Sequence, residues 1–127
     1  MRNSGTLGGN VANGSPIGDS MPLLIALGAQ VVLASVRGER ELPLESLYTG
    51  YRQNVMAPDE VLARTRVPLR DPAAAQRAGW LRVYKVSKRY DDDISAVCLA
   101  LSIQLDAHGQ VAPVSYTHLT LPTTPYV

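Results

Sequence analysis

The stretch that decides the fold class is SMPLLIALGAQVVLAS, residues 20–35. Its first part predicts a short buried helix, because Asp19 or the serine after it can cap the start and Gly28 can terminate the end. Its second part, residues 30–35, is an apolar run rich in β-branched side chains, which favours a strand. The pattern therefore places strands directly after a helix.

The strand pattern continues beyond this stretch. Residues 40–44 are extended and follow a turn, so we expect them to form a hairpin with residues 30–35. Three later segments have strand-like spacing of apolar side chains, and the alternation is clearest in the last of them. These segments are residues 61–69, 80–87 and 95–105.

Composition excludes several classes of protein. The 127 residues are 46% hydrophobic, enough for one modest globular domain but too few for a complete redox enzyme. The net charge is +1 and the basic residues form no stripe, which argues against nucleic-acid binding. The apolar runs are too short to span a bilayer and no signal peptide pattern opens the chain, so we expect a cytoplasmic protein without membrane contact. The single cysteine, Cys98, cannot supply the thiolates of an iron–sulfur cluster or a structural zinc site.

Two glycine-containing turns are the candidate ligand sites. Residues 6–10, TLGGN, predict a glycine-rich loop whose backbone N–H groups can approach a phosphate or a flavin edge; the alternative is a plain turn. Residues 13–19 predict a second constrained turn that leaves Asp19 at the start of the helix. Its carboxylate can accept hydrogen bonds from ribityl or ribose hydroxyls, or it can cap the helix.

Other candidate residues have structural explanations. The acids at 91–93 are interpreted as a solvated bend rather than a metal site. Cys98 lies in an apolar strand and is expected to be an inert buried thiol, and His108 lies in a predicted hairpin turn. Trp80 and Tyr84 are expected in the core or in a subunit interface. We therefore predict no general acid, general base, nucleophile or metal ligand in this chain.

The chain ends differ from the rest of the sequence. Residues 114–127 are uncharged, rich in Thr and Pro, and follow neither a helical nor a strand period, so they are expected to form a tail. The tail resembles the translated read-through of a sequencing-library adapter; the alternative is an ordinary disordered extension. Because the loop at residues 6–10 has no strand before it, we expect this end also to be cut.

Five motifs occur in the order that characterises one family. In this order they resemble the flavin-binding subunit of xanthine dehydrogenases, which are molybdenum hydroxylases, over nearly everything except the tail. The motifs are TLGGN at 6–10, SPIGD at 15–19, GYR at 50–52, PDEVL at 58–62, and YKVSKR at 84–89 followed by DDDISAV at 91–97.

The resemblance implies a domain organisation and a set of cofactor contacts. The implied fold class is α+β: residues 1–72 would be the C-terminal part, the second α+β subdomain, of a vanillyl-alcohol-oxidase-type FAD-binding domain. Residues 73–113 would begin a C-terminal domain like that of CO dehydrogenase flavoproteins, followed by the tail at 114–127. Carried over residue by residue, the family's FAD contacts are Thr6, Leu7, Gly8, Gly9, Asn10, Asp19, Leu62 and Lys85. Leu62 would make an apolar or backbone contact, while Lys85 would place a cation near the flavin, unless it is simply a solvated strand lysine.

The implied function is electron exit from a larger enzyme. In the resembled enzymes a purine is hydroxylated at molybdenum, electrons pass through [2Fe–2S] centres to FAD, and the reduced flavin gives hydride to NAD. The iron–sulfur domains and the molybdopterin-binding large subunit would be partners outside this chain. The family's other diphosphate-binding loop has no counterpart here, so we expect this piece to be inactive and to bind FAD poorly alone.

Two alternatives remain open. The first is the flavoprotein subunit of another molybdenum hydroxylase: an aldehyde oxidoreductase, a carbon monoxide dehydrogenase or an aromatic-CoA reductase. The second is a non-catalytic interaction domain whose glycines form turns and whose strands pair with a partner.

Overall fold

The computed structural model describes residues 5–15, 17–51, 53–69, 79–88, 90, 94–106 and 108–112, and the backbone of 115–120. Within these ranges helices and strands are mixed, and the α+β prediction is confirmed. The helices are α1 Leu7–Asn13, α2 Ser20–Ala26 and the 3-10 helix Leu44–Leu47. The strands are β1 Gln30–Ser35, β2 Gly38–Pro43, β3 Tyr48–Gly50, β4 Gln53–Asn54, β5 Val61–Arg66, β6 Gly79–Ser87, β7 Ser95–Gln104 and β8 Ser115–Thr120.

The first sheet has the order β2-β1-β5 and is antiparallel throughout. The predicted hairpin is confirmed: β1 and β2 pair from Gln30 opposite Pro43 to Ser35 opposite Gly38. Gly38 has φ +122°, a conformation that residues with a Cβ rarely adopt, so glycine suits this tight turn. Strand β5 pairs with the other edge of β1, which makes β1 the central strand.

The main hydrophobic core lies against one face of this sheet. Alternation along β1 directs Val31 and Leu33 into the core, where both are fully buried. Each such side chain stabilises the fold by about 1.5–3 kcal/mol relative to an exposed one. The helices supply the rest of the packing. The buried cluster consists of Val11, Met21, Leu24, Ala29, Val31, Leu33, Leu44 and Leu47.

Ion pairs cover the opposite face of the same sheet. Arg66 of β5 binds Glu41 of β2 at 2.6 Å, and Arg64 binds Glu39 in the same way. Because Arg64 and Glu41 both lie opposite Val32 of β1, these long side chains cross the central strand on the face of Val32. Val32 is accordingly only 2% exposed, so β1 is shielded on both faces.

The second sheet has the order β6-β7-β8 and is also antiparallel. Helix α2 packs against β7 and β8, and Cys98 and Ala100 of β7 are fully buried. Trp80 and Tyr84 of β6 are 60% and 53% exposed, so the expectation that they belong to a core is wrong. Within the described part of the chain, no helix is long and apolar enough to cross a membrane.

The expected tail contains a strand. Residues 115–120 pair with β7 from Ser102 opposite Ser115 to Val97 opposite Thr120, which corrects the interpretation of this segment as structureless. Strand pairing satisfies backbone N–H and C=O groups whatever the side-chain period, and Thr and Tyr are good strand residues. The preceding turn contains His108 as predicted, with Asp106 Oδ1 accepting from the N–H groups of His108 and Gln110. Residues 121–127 and the acids at 91–93 lie outside the described residues.

Candidate functional site

The segment TLGGN forms the start of a helix and not the predicted loop. Thr6 is the N-cap of α1, and its Oγ1 accepts a 3.0 Å hydrogen bond from the N–H of Gly9. The N–H of Asn10 donates to the carbonyl of Thr6 at 3.1 Å, which closes the first turn. A threonine cap followed by a hydrogen-bonded turn is enough to start a helix even with two glycines in it. The threonine was the sequence signal for this helix, and the paired glycines obscured it.

The two glycines differ in what surrounds them. A Cβ on Gly9 would lie 2.8 Å from Oγ1 of Thr6, so an alanine there would disturb the cap. A Cβ on Gly8 would meet nothing within 4 Å, and the neighbouring Leu7 is 58% exposed. Helix geometry leaves the N–H groups of Leu7 and Gly8 without an acceptor inside the helix. The first turn therefore presents backbone donors beside open space.

The second predicted turn packs directly against this first turn. Gly18 is buried, and a Cβ on it would lie 2.7 Å from Oδ1 of Asn10 and would collide with the side chain of Met21. Asn10 also donates from Nδ2 to Oγ of Ser20 at 3.5 Å. The side chain of Asn10 thus connects the first turn of α1 to the start of α2.

Asp19 precedes α2 but does not cap it through its side chain. Although Asp19 occupies the N-cap position, its carboxylate makes no capping hydrogen bond. Oδ1 accepts instead from the hydroxyl of Ser95, and Oδ2 lies 2.9 Å from Nζ of Lys85. The capping alternative is therefore wrong, and the structure brings two of the predicted site residues, Asp19 and Lys85, into direct contact.

The surroundings keep this carboxylate ionised. Burial acts to raise the pKa of Asp19, but the hydrogen bonds from Ser95 and Lys85, together with the charge of Lys85, outweigh burial and lower the pKa below its ordinary value. The thiol of Cys98 lies 3.9 Å from the backbone carbonyl of Asp19. Burial and the nearby carboxylate raise the pKa of Cys98. The prediction that this thiol is buried is confirmed, and its inertness stays a prediction.

Leu62 lies in the first sheet, on the strand that packs against α1. It lies on β5 opposite Leu33 and is half-buried against the main core. Helix α1 packs against β5, so the packing of this strand connects Leu62 to the helix that begins with TLGGN. The structure thus brings Asp19 and Lys85 into contact, joins Asn10 to Ser20 next to Asp19, and shows no contact of Leu62 with these described residues.

Three residues that support the site were missed from the sequence. Ser95 binds Asp19 as described above, and the other two fix the end of α1. The hydroxyl of Tyr48 donates to the carbonyl of Val11 at 2.8 Å, and Nδ2 of Asn54 donates to the carbonyl of Ala12 at 3.2 Å. The bond from Asn54 satisfies a carbonyl that the end of a helix leaves unpaired, whereas the carbonyl of Val11 also accepts from the N–H of Gly14. No local pattern could indicate them, because both donors are distant from α1 in the sequence.

A second charged cluster lies around an open cleft of about 370 Å³. Arg40 binds Glu60 at 2.7 Å and Arg37 binds Asp59 at 2.8 Å, so the arginines of this cleft already have acidic partners. Among the described residues, no group of His, Cys, Asp and Glu side chains is arranged to hold a metal ion. These features make the Asp19 region the better candidate site.

Comparison with known families identifies the chain. The family described as "FAD binding domain in molybdopterin dehydrogenase" matches residues 1–70. The chain belongs to this family. The resemblance predicted from the five motifs is therefore confirmed, and residues 6–10, 19 and 62 lie inside the matched region.

Individual members of the molybdenum hydroxylases match over most of this chain. The xanthine dehydrogenase of Emericella nidulans is 36% identical over 115 residues, which cover 91% of this chain. The xanthine dehydrogenase/oxidase of Gallus gallus is 34% identical over 110 residues, which cover 86% of this chain. The chain spans only 8% of the length of each relative.

A solved structure supports the fold. Carbon monoxide dehydrogenase from Hydrogenophaga pseudoflava aligns with a TM-score of 0.78 and 27% identity, over 93% of this chain and 39% of that chain. The aligned part includes most of both sheets, since so little of this chain is left over. The predicted fold, like that of CO dehydrogenase flavoproteins, is therefore confirmed.

Proposed function

We propose that this chain forms part of the FAD site of a molybdenum hydroxylase of the xanthine dehydrogenase type. In that role it would transfer electrons from iron–sulfur centres through FAD to NAD during purine hydroxylation. One observation carries the proposal: in a chain of the FAD-binding family, Asn10 of the open first turn of α1 donates to Ser20, and Asp19, the residue before Ser20, pairs with Lys85.

The residues present fit the chemistry of FAD. Gly8 has no atom near the position of a Cβ, so a phosphate or flavin edge can approach the N–H groups of the first turn. We assign this contact to Thr6, Leu7, Gly8, Gly9 and Asn10. The ionised carboxylate of Asp19 is an acceptor for ribityl or ribose hydroxyls, and Leu62 offers an apolar contact.

Lys85 would tune the reduction potential of the cofactor. When bound, FAD supplies the hydride and electron transfer chemistry, while the protein binds it, orients it and sets the charge around it. The ammonium of Lys85 is held by Asp19 on one side, and the Lys85 side chain is 36% exposed. A cation held at a defined place near the flavin would favour its reduced, negatively charged forms. This tuning requires the ion pair to persist, since a mobile lysine would be screened by water.

Because the chain spans 8% of its relatives, the partners belong to the proposal as well. We propose that iron–sulfur domains deliver electrons, that a molybdopterin-binding large subunit carries substrate oxidation, and that NAD accepts the hydride. We also propose a cytoplasmic location. No residue of this chain is proposed as a general acid, general base or nucleophile.

The first alternative keeps the cofactor and changes the substrate. The match to a carbon monoxide dehydrogenase at TM-score 0.78 favours a flavoprotein subunit of another molybdenum hydroxylase. Both assignments predict bound FAD and differ in the electron donor and acceptor. The second alternative, a non-catalytic interaction domain, predicts no flavin at all. Flavin content therefore distinguishes a flavoprotein from an interaction domain. Reduction of NAD distinguishes the xanthine dehydrogenase type from the other molybdenum hydroxylases.

A chimeric flavoprotein tests the proposal. The chain replaces the matching part of the Hydrogenophaga pseudoflava flavoprotein, which supplies the regions that this chain does not span. FAD per polypeptide is measured by absorbance, and FAD affinity is measured by fluorescence titration of the stripped protein. We expect one FAD per chain in the wild-type chimera. A folded chimera that stays colourless with added FAD contradicts the proposal.

A matched pair of glycine variants sharpens this test. Gly8→Ala adds a methyl group in open space, so the helix should gain up to about 1 kcal/mol of stability. If the first turn contacts FAD, the same methyl group should weaken FAD binding by about tenfold or more through a steric clash. Gly50→Ala on β3 is the control, since its Cβ would meet only Gln53 at 3.4 Å. Equal FAD affinity in Gly8→Ala and wild type would exclude this turn from the site.

A further inference from the structure

Strand β7 contains a bulge beside the proposed cofactor site. Lys85 pairs with Cys98 and Val86 pairs with Val97, but Ser87 then pairs with Ser95. Ala96 is therefore an extra residue in β7. A bulge of this kind rotates the following side chain relative to the regular alternation of a strand.

The bulge changes the face on which Ser95 lies. Cys98 and Ala100 are fully buried on the face toward α2, whereas Val97 is 36% exposed on the other face. In a regular strand, residue 95 would share the face of Val97 because side chains alternate with a period of two. Ser95 is instead fully buried and donates its hydroxyl hydrogen to Oδ1 of Asp19.

Ser95 and Lys85 occupy different oxygens of one carboxylate. Lys85 binds Oδ2 of Asp19, and Ser95 binds Oδ1. A lysine ammonium alone is a point charge that does not define the rotation of its carboxylate partner. A buried hydroxyl on the second oxygen does define it, because the carboxylate cannot rotate without leaving that hydroxyl unpaired.

We propose that Ser95 is a positioning residue of the FAD site: the bulge at Ala96 directs its hydroxyl to Asp19 and fixes the orientation in which this carboxylate meets a cofactor hydroxyl. Ser95 does not touch the cofactor in this proposal and acts through Asp19. The inference rests on the proposed function and adds to it a residue from the second sheet. Helix α2 and strand β7 thereby build one site together.

A double-mutant cycle in the chimeric flavoprotein tests this role. FAD affinity is measured for wild type, Ser95→Ala, Asp19→Asn and the double variant. We expect Ser95→Ala to weaken FAD binding by roughly tenfold, because cofactor binding must then itself order the side chain of Asp19. In the Asp19→Asn background the same change should have little effect, since the carboxylate is gone. Ser102→Ala, on the same strand, is the control for the change in chemistry.

The pH dependence of FAD affinity distinguishes action through Asp19 from a role in packing, because a packing role would leave this pH dependence unchanged. Loss of the Ser95 hydrogen bond raises the pKa of Asp19, so FAD affinity should begin to fall at a higher pH in Ser95→Ala than in wild type. Lys85 from β6 and Cys98 from β7 are the titratable side chains that act on Asp19 here. Both remain in every member of the cycle.

The outcomes separate the two proposals. If wild type binds no FAD, the proposed function and the role of Ser95 both fail. If wild type binds FAD and Ser95→Ala binds it equally well with the same pH profile, only the role of Ser95 fails. An equal loss in the Asp19→Asn background also overturns this role, because Ser95 would then act by packing alone.

Discussion

Nζ of Lys85 lies 2.9 Å from Oδ2 of Asp19, although β6 belongs to the second sheet and Asp19 precedes a helix that contributes to the core of the first. Both side chains are about a third exposed, at 36% and 35%. Water therefore screens the attraction, and the pair adds little to the stability of the fold. Its main consequence is to fix one charge of each sign at the place where helix α2 packs against the second sheet.

Lys85→Met tests this pair while keeping most of the apolar stem. We expect the free energy of unfolding to change by less than about 1 kcal/mol, as for other partly exposed ion pairs. The pKa of Asp19 should rise, because the hydrogen bond and charge of Lys85 both lower it. Any stability from the ionised Asp19 is present above its ordinary pKa of 3.8 and is lost as pH falls through the lowered folded value. Carboxyl carbon NMR measures this titration, and Lys88→Met is the control. An unchanged Asp19 titration in Lys85→Met would mean that the pair does not form.

Local sequence patterns predicted most strands and the pairing of neighbouring ones, but not the contacts between distant segments. The hairpin of β1 and β2 follows from an apolar run, a turn and a second extended run, all within one short segment. The pairing of Ser87 with Ser95 depends on a bulge at Ala96, and a two-residue period gives no sign of it. For the same reason Asp19 could be placed at the start of α2 from sequence, whereas its contact with Ser95 could not.

In two places, hydrogen bonds to backbone groups produced secondary structure that the composition of the segment did not indicate. Residues 115–120 lack a strand period, yet they pair with β7 because its edge offers unpaired backbone groups. The segment TLGGN contains two poor helix formers, yet it starts α1 because Thr6 caps the first turn. In both cases hydrogen bonds that satisfy backbone groups mattered more than the composition of the segment.

Tyr48→Phe should loosen the end of α1. The change removes the 2.8 Å hydrogen bond to the carbonyl of Val11, which keeps its second partner, the N–H of Gly14. We expect the free energy of unfolding to fall by about 0.5–1.5 kcal/mol. Urea denaturation measures this loss, and Tyr51→Phe, at a residue that is 73% exposed, should cost much less. Similar losses in the two variants would argue against the bond to Val11.

Tyr48 should also make the fold sensitive to alkali. Burial raises the pKa of Tyr48 from 10.0 to about 12. A phenol that holds its proton more tightly when folded stabilises the protein below its unfolded pKa, and this contribution is lost as pH rises from about 10 through about 12. Melting temperatures across this range should therefore fall more steeply in wild type than in Tyr48→Phe. Parallel curves for the two proteins would contradict the burial of this hydroxyl.

Glu60→Gln should weaken the fold at neutral pH and flatten its response to acid. The Glu60 side chain is 7% exposed, binds Arg40 at 2.7 Å and accepts a 2.8 Å hydrogen bond from the N–H of Ala57. The hydrogen bond from Arg40, with that from Ala57, lowers the pKa of Glu60 from 4.5 to about 2. The stabilisation is thus present above pH 4.5 and is lost as pH falls through about 2. Melting temperatures from neutral pH to pH 2 should show this slope in wild type and in the exposed control Glu45→Gln, but not in Glu60→Gln.

Thr6→Ala should destabilise α1 and weaken FAD binding through the same lost hydrogen bond. The hydroxyl of Thr6 accepts from the N–H of Gly9 at 3.0 Å, and loss of such a cap costs about 0.5–2 kcal/mol. Amide hydrogen exchange in α1 measures the local loss, while Thr6→Ser keeps the oxygen and should retain most of the protection. Gly9→Ala should act on the same cap, because its Cβ would lie 2.8 Å from Oγ1 of Thr6. The losses of amide protection caused by Thr6→Ala and Gly9→Ala should therefore be less than additive in the double variant. Full additivity would mean that Gly9 is required for another reason, such as direct approach of the cofactor to its backbone.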